Sequence, residues 1–217
     1  MEFMRNQNQP VVVEGYPFIG LFAFITLVFS LLGWSFLALI FLFLTLFTVY
    51  FFRNPDRTIP KDEDIVVAPA DGKVVYVGKV NENRFMHDEV YKVSIFMSVF
   101  DVHVNRVPIA GKVVDQFYSK GSFMNASLDK ASIENEQAGM VIEDRRKKRF
   151  LVVQIAGLVA RRIVTYPVIG DMLEQGQRYG LIRFGSRVDV YMPADVQLQV
   201  SLGDRCIGGE TILSRLG

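Results

Sequence analysis

Three features predict an α+β chain that is predominantly β: a long charge-free apolar run at the N-terminus, a later series of short alternating segments, and turn residues between those segments. The expected architecture is a hydrophobic helical hairpin over residues 1–52, followed over 53–217 by a compact β-rich, barrel-sandwich-like domain. No repeat, low-complexity segment or sustained heptad pattern interrupts this division.

Between Glu14 and Arg53 there is no charged residue. The run is too long for a single membrane span of about 20 residues and is sufficient for two short ones. Gly33-Trp34-Ser35 is the natural turn between them. No small-residue cleavage site follows, which disfavours a secretory signal. Arg5 precedes the first helix, and Arg53, Arg57 and Lys61 follow the second. The positive-inside bias places both ends, and the domain that follows, on the cytoplasmic face of the cell membrane.

After the polar linker Asn54-Pro55-Asp56-Arg57, Ile65–Val77 reads as strand, turn, strand, with Asp71-Gly72 supplying the turn. Tyr91–Met97 alternates as a half-buried strand does. Further strands are expected at Gly111–Phe117, Gly139–Glu143, Phe150–Ala156, Arg162–Val168, Arg187–Tyr191 and Val196–Val200. Asn125–Gln137, polar with small residues, reads as loop or short helix. Gly185-Ser186 breaks a strand-like run, and taken alone it reads as a bulge or turn between strands.

Composition narrows the function. With 24 Lys+Arg against 23 Asp+Glu, no global charge argues for a nucleic-acid partner. The single Cys206 excludes an intrachain disulfide framework and a multi-cysteine metal site. His87 and His103 are the only histidines, too few for a histidine-rich zinc site, and no metal is expected. The run Arg145–Arg149 reads as a solvated hairpin tip; beside a membrane anchor it would also be drawn to anionic headgroups. Within Val99–Pro108, alternation would set Asp101, His103 and Asn105 on one face. A lone histidine there is ordinarily structural, as Asp71 is ordinarily a turn residue.

Four segments in order change that reading: Ala68-Pro69-Ala70-Asp71-Gly72-Lys73-Val74, Phe96–Pro108, Asn135-Glu136-Gln137, and Arg183-Phe184-Gly185-Ser186-Arg187-Val188. Together they resemble the phosphatidylserine decarboxylase proenzymes of the short, prokaryotic type, from Arg53 to the C-terminus. The resemblance implies a self-processing lyase of phospholipid biosynthesis that converts phosphatidylserine to phosphatidylethanolamine. Ser186 would attack the Gly185 carbonyl to form an ester. Elimination and loss of ammonia would then leave a pyruvoyl group, the covalent cofactor, on a 186–217 α chain paired with a 1–185 β chain. That carbonyl would form a Schiff base with the amine of a serine phospholipid. Asp71 orienting His103, and His103 activating Ser186, would supply the base in the manner of a triad; His103 is also the candidate acid that protonates the product.

The chain departs from the longer relatives in carrying Arg106 where they often have a second histidine, and a guanidinium is a poor base. Phe184 and Arg187 flank the cleavage site as short-form traits. One rival is a lipoyl- or biotinyl-type module on a membrane adaptor, suggested by Pro-Ala-Asp-Gly-Lys-Val; another is a sibling enzyme acting on archaetidylserine.

Overall fold

A computed structural model of the chain describes residues 9–121, 135–157, 162–183 and 186–217. It divides into two compact units, Met1–Asp56 and Arg57–Gly217.

The first unit is an antiparallel helical hairpin. A 3₁₀ turn at Val13–Gly15 leads into α1 (Tyr16–Leu31), where Pro17 sits in the first turn, and α2 spans Ser35–Phe51. Gly33 makes the turn with φ +75°. The hydroxyls of Thr26, Thr45 and Thr48 donate to the carbonyls of Phe22, Phe41 and Leu44 at 2.7–2.8 Å. These three threonine hydroxyls are thus satisfied within the helices themselves. The segment Val13–Leu31, 19 residues, is long and apolar enough to cross a membrane, and α2 is a shorter apolar helix. At the base of the hairpin Val11 bridges Arg53, and Asn54 bonds the carbonyls of Pro10 and Gln9.

The second unit is antiparallel β. Its strands are β1 (Ile65–Val67), β2 (Gly72–Glu82), β3 (Asp88–Met97), β4 (Val104–Arg106), β5 (Gly111–Ser119), β6 (Gln137–Glu143), β7 (Arg149–Ile155), β8 (Ile163–Thr165), β9 (Met172–Leu173), β10 (Arg178–Ile182), β11 (Ser186–Pro193), β12 (Gln197–Leu198), β13 (Arg205–Cys206) and β14 (Ile212–Arg215). Eight of them form a sheet in the order β13-β2-β3-β11-β7-β6-β5-β9, curled into a half-barrel, and two three-stranded sheets, β1-β14-β12 and β4-β10-β8, complete the unit. The β11 residues Val188, Val190 and Met192 alternate into the core with Ile95 and Val93 of β3. Burying each such side chain contributes about 1.5–3 kcal/mol.

The predicted β-rich class with its helical hairpin is observed, and most expected strands are present. Ile65–Val77 is not one hairpin, however. The chain changes sheets between β1, which pairs with β14, and β2, which pairs with β3 and β13. Gly72 is needed for close approach rather than for a two-strand turn: a Cβ there would lie 2.2 Å from the Phe96 carbonyl oxygen. Arg178–Ile182 lacked a clear strand pattern because Gly180 interrupts it, yet it is the central strand of its sheet. Val164 approaches so closely that a Cβ at Gly180 would meet its carbonyl oxygen at 2.1 Å. Most of Asn125–Gln137 lies outside the described residues, although Gln137 opens β6.

Candidate active site

Ser186 opens β11, opposite Met97 at the end of β3. The next residue, Arg187, belongs to a continuous row across the sheet: Arg205, Lys73, Phe96, Arg187, Ile155, Gln137 and Ser119. Ser186 therefore lies one step beyond this row, where β3 turns away toward His103. Cross-strand partners share a face, so its side chain is on the core side with Met97. Ser186 is fully buried, and its hydroxyl has no hydrogen-bond partner among the described residues. A buried hydroxyl without a partner costs free energy, so Ser186 calls for an explanation beyond packing.

His103 lies beyond the end of β3, six residues after Met97 in the chain. It immediately precedes β4, and its carbonyl accepts from the Ile182 amide at the end of β10, at 3.4 Å. The turn from Ser98 to Val102 thus connects Met97, the partner of Ser186, to His103, the partner of Ile182. Gly185 and Phe184 lie outside the described residues. His103 is buried, and its Nδ1 is 2.9 Å from the carbonyl oxygen of Asp101. A carbonyl only accepts, so Nδ1 carries the hydrogen and the basic lone pair is on Nε2.

The predicted alternation of Asp101, His103 and Asn105 along one strand needs correction. Only Val104–Arg106 is strand, because the Asp101 carboxylate accepts from the Ser98 amide and hydroxyl at 2.8 and 2.7 Å and bends the chain. All three residues are nonetheless buried. Asp71 is also placed differently from the triad expectation. Both its oxygens accept from Arg57 Nη2, at 2.9 and 2.8 Å, and the Gly208 amide donates to Oδ1 at 2.8 Å. The imidazole is held by a backbone carbonyl, while the Asp71 carboxylate is held by Arg57 and a loop amide. Arg106 donates to the Gly176 carbonyl at 3.1 Å, a structural contact.

The third motif braces the neighbouring strand end. The Asn135 amide donates to the Ala156 carbonyl at 2.7 Å, and the Ala156 amide donates to the Glu136 carbonyl at 2.9 Å. Ala156 follows Ile155, the β7 partner of Arg187. Gln154 and Asp189, which were not singled out in the sequence, organise two further polar groups. Gln154 donates to Asn105 Oδ1 at 2.8 Å and accepts from the Thr165 hydroxyl at 2.6 Å, while Asn105 donates to Met97 Sδ at 3.6 Å. This buried amide chain ties β7, β8 and β4 to the residue opposite Ser186. On the other face of β11, buried Asp189 pairs with Arg187 Nε at 2.8 Å and with Lys92 Nζ at 3.0 Å. Lys92 also lies 5.4 and 5.5 Å from the ring centroids of Tyr76 and Tyr191. Their only legible signal was the charge alternation of Arg187 and Asp189 within an otherwise apolar strand.

The basic run Arg145–Arg149 forms the β6–β7 turn, and its charges are engaged. Arg145 pairs with Glu63 and Asp64, Arg146 with Asp64, Lys147 with Glu143 and Lys148 with Asp195. It acts as an intramolecular clasp on the stretch that precedes β1.

Comparisons with known proteins identify the family. The family model for phosphatidylserine decarboxylase matches residues 44–214. A phosphatidylserine decarboxylase proenzyme of Syntrophotalea carbinolica is 67% identical over 98% of this chain and all of its own length. Proenzymes of the same name from Geotalea uraniireducens and Geobacter metallireducens are 57% and 55% identical, with the same coverage. The chain belongs to the phosphatidylserine decarboxylase family. Membership decides against the lipoyl- or biotinyl-module alternative.

Proposed function

We propose that the chain is a proenzyme that cuts itself between Gly185 and Ser186 and then decarboxylates phosphatidylserine to phosphatidylethanolamine. The observation that carries this reading is the buried Ser186 hydroxyl at the start of β11, which has no hydrogen-bond partner among the described residues. A serine hydroxyl is a weak nucleophile near neutral pH, and a basic imidazole nitrogen from the facing turn supplies what it lacks. His103 takes the hydroxyl proton as the Ser186 oxygen attacks the Gly185 carbonyl. The peptide bond becomes an ester and the Ser186 nitrogen leaves as an amine. Loss of the Ser186 α-hydrogen then breaks the ester, releasing the Gly185 carboxylate and leaving a dehydroalanine. Water adds and ammonia departs, giving a pyruvoyl group at the head of the 186–217 chain.

The site fits that group, because Ser186 is enclosed on a fixed strand and needs no outside ligand to hold it. The pyruvoyl carbonyl would supply an amine-condensing centre for the substrate and an electron sink for departing carbon dioxide. His103 delivers a proton to the carbon that lost the carboxylate. The sheet keeps the 186–217 chain with the 1–185 chain after cleavage, since β11 is bonded on both sides by β3 and β7. The apolar hairpin would attach the enzyme to the cell membrane that contains its substrate, and the flanking Arg53, Arg57 and Lys61 favour the cytoplasmic face. An archaetidylserine headgroup would present the same amine and carboxylate.

Intact mass spectrometry of the purified protein tests the proposal, with Ser186→Ala as control. A 32-residue fragment (217 − 185 = 32) lighter by one ammonia than the corresponding serine peptide is expected. A single uncut chain after prolonged incubation in detergent would overturn it.

A further inference from the structure

We infer that Asp101 is a positioning residue that fixes His103 as its Nδ1–H tautomer and so keeps Nε2 as the basic nitrogen. The inference rests on the reading of His103 as the proton carrier of the site. Neither nitrogen of a neutral imidazole is intrinsically the base. The choice is made by whatever the other nitrogen bonds, and here that partner is the Asp101 carbonyl at 2.9 Å. A backbone carbonyl can fix a tautomer only if the backbone that carries it is fixed.

The Asp101 side chain provides that fixation. Its Oδ2 accepts from the Ser98 amide at 2.8 Å and from the Ser98 hydroxyl at 2.7 Å. Its own amide donates to the Ser98 carbonyl at 3.0 Å, closing the turn. Oδ1 accepts from Arg205 Nη2 at 2.6 Å, which ties the turn to β13 at the edge of the large sheet. Only 9% of the Asp101 side chain is exposed, whereas 71% of Arg205 is. The carboxylate is thus screened from water and saturated by donors, and bonds to a charged acceptor are about twice as strong as neutral ones. Three bonds converge on one side chain whose carbonyl makes the fourth. This is the logic by which outer groups orient a functional imidazole elsewhere, with a carbonyl in place of the usual carboxylate.

The chain has two histidines, so ¹⁵N imidazole spectra of the full-length protein in detergent contain two rings to assign. His87→Asn removes one ring, and asparagine suits the positive φ of 54° at that position. The measurement is made on Ser186→Ala, which holds the chain uncut. The expected result is a His103 ring protonated at Nδ1 with a pyridine-type Nε2. Ser98→Ala and Arg205→Ala each shift the ring toward a mixture of tautomers, and Asp101→Ala carries it furthest. With Ser186 restored, cleavage slows severalfold in the first two variants and at least tenfold in the third. A His103 ring protonated at Nε2, or one indifferent to all three substitutions, would overturn the inference. The two milder variants decide the matter even where Asp101→Ala does not fold. His103→Ala separates the two layers. Wild-type cleavage and decarboxylation in that variant would remove the functional reading of His103 and leave its tautomer control by Asp101 standing.

Discussion

Arg57 closes on both carboxylate oxygens of Asp71, at 2.8 and 2.9 Å, at the point where the β unit begins. The Gly208 amide adds a bond from the loop after β13. One carboxylate therefore joins the start of the unit, the entry to β2 and a C-terminal loop.

Removing either partner exposes what this junction does. Arg57→Ala is expected to destabilise by about 1.5–3 kcal/mol, the usual range for a hydrogen bond to a charged group. A double-mutant cycle with Asp71→Asn, followed by urea unfolding in the Ser186→Ala background, should give a coupling of about 1–2 kcal/mol. Zero coupling would mean that the pair carries no net energy. Cleavage rates then locate the role of Asp71. If its charge acts on the reaction, Asp71→Asn slows cleavage well beyond Arg57→Ala; equal slowing assigns both residues to scaffolding.

The ion cluster on β11 is a different case, because Asp189 is wholly buried between Arg187 and Lys92. Removing one member of such a group leaves buried charge uncompensated, at a cost of about 3–5 kcal/mol. Asp189→Asn should therefore unfold at much lower urea concentration than wild type. A loss below about 1 kcal/mol would show that Arg187 and Lys92 find other partners. Since Arg187 adjoins Ser186, decarboxylation should weaken together with retention of the 186–217 chain after cleavage.

The basic turn should behave oppositely. Arg145 and Lys147 are largely exposed, and exposed ion pairs contribute about 0–1 kcal/mol each. Arg145→Gln should shift the urea midpoint by less than that amount. A larger loss would make the clasp on Glu63 and Asp64 a principal fastening of the unit.

What the sequence revealed divides along physical lines. The helical hairpin was legible because 38 residues without charge between Glu14 and Arg53 leave few alternatives, and β3 and β11 because their side chains alternate. Ser186 and His103 were singled out through motifs; Ser186 opens β11 opposite Met97, and His103 follows the turn after Met97. The partner of His103 was not legible. Its carbonyl belongs to Asp101, and backbone acceptors leave no mark in a sequence, whereas the Asp71 carboxylate offered an evident alternative. Strand β10 was hidden by Gly180, whose use is the close approach of Val164 rather than flexibility. Ion pairs between residues as distant as Arg57 and Asp71, or Arg205 and Asp101, depend on sheet order, which periodicity alone does not specify.

Cys206 permits a test of the packing beside Asp71. It pairs with Gly72 at the edge of the large sheet, and burial, helped by the charges of Asp204 and Asp71, pushes its thiol from an ordinary value near 9.0 up to about 12. The thiolate is the reactive form, so at pH 8 the folded protein should alkylate about a thousandfold more slowly than its urea-unfolded form. The same shift has a consequence for stability. The protonated thiol is favoured by the fold, so its contribution is complete below pH 9 and is lost as pH rises from 9 toward 12. The loss is about 1.4 kcal/mol for each pH unit within that window. Tyr179 and Tyr191 are also raised by burial and add a loss of the same sign at higher pH. The clean interval is therefore pH 9 to 10, below the range where phenols titrate. There Cys206→Ala should show a flatter dependence of unfolding free energy on pH than the parent protein, although it is less stable at pH 7. Parallel pH profiles for the two proteins, or rapid alkylation of the folded chain, would mean that the β13 edge opens to water far more readily than its pairing with β2 implies.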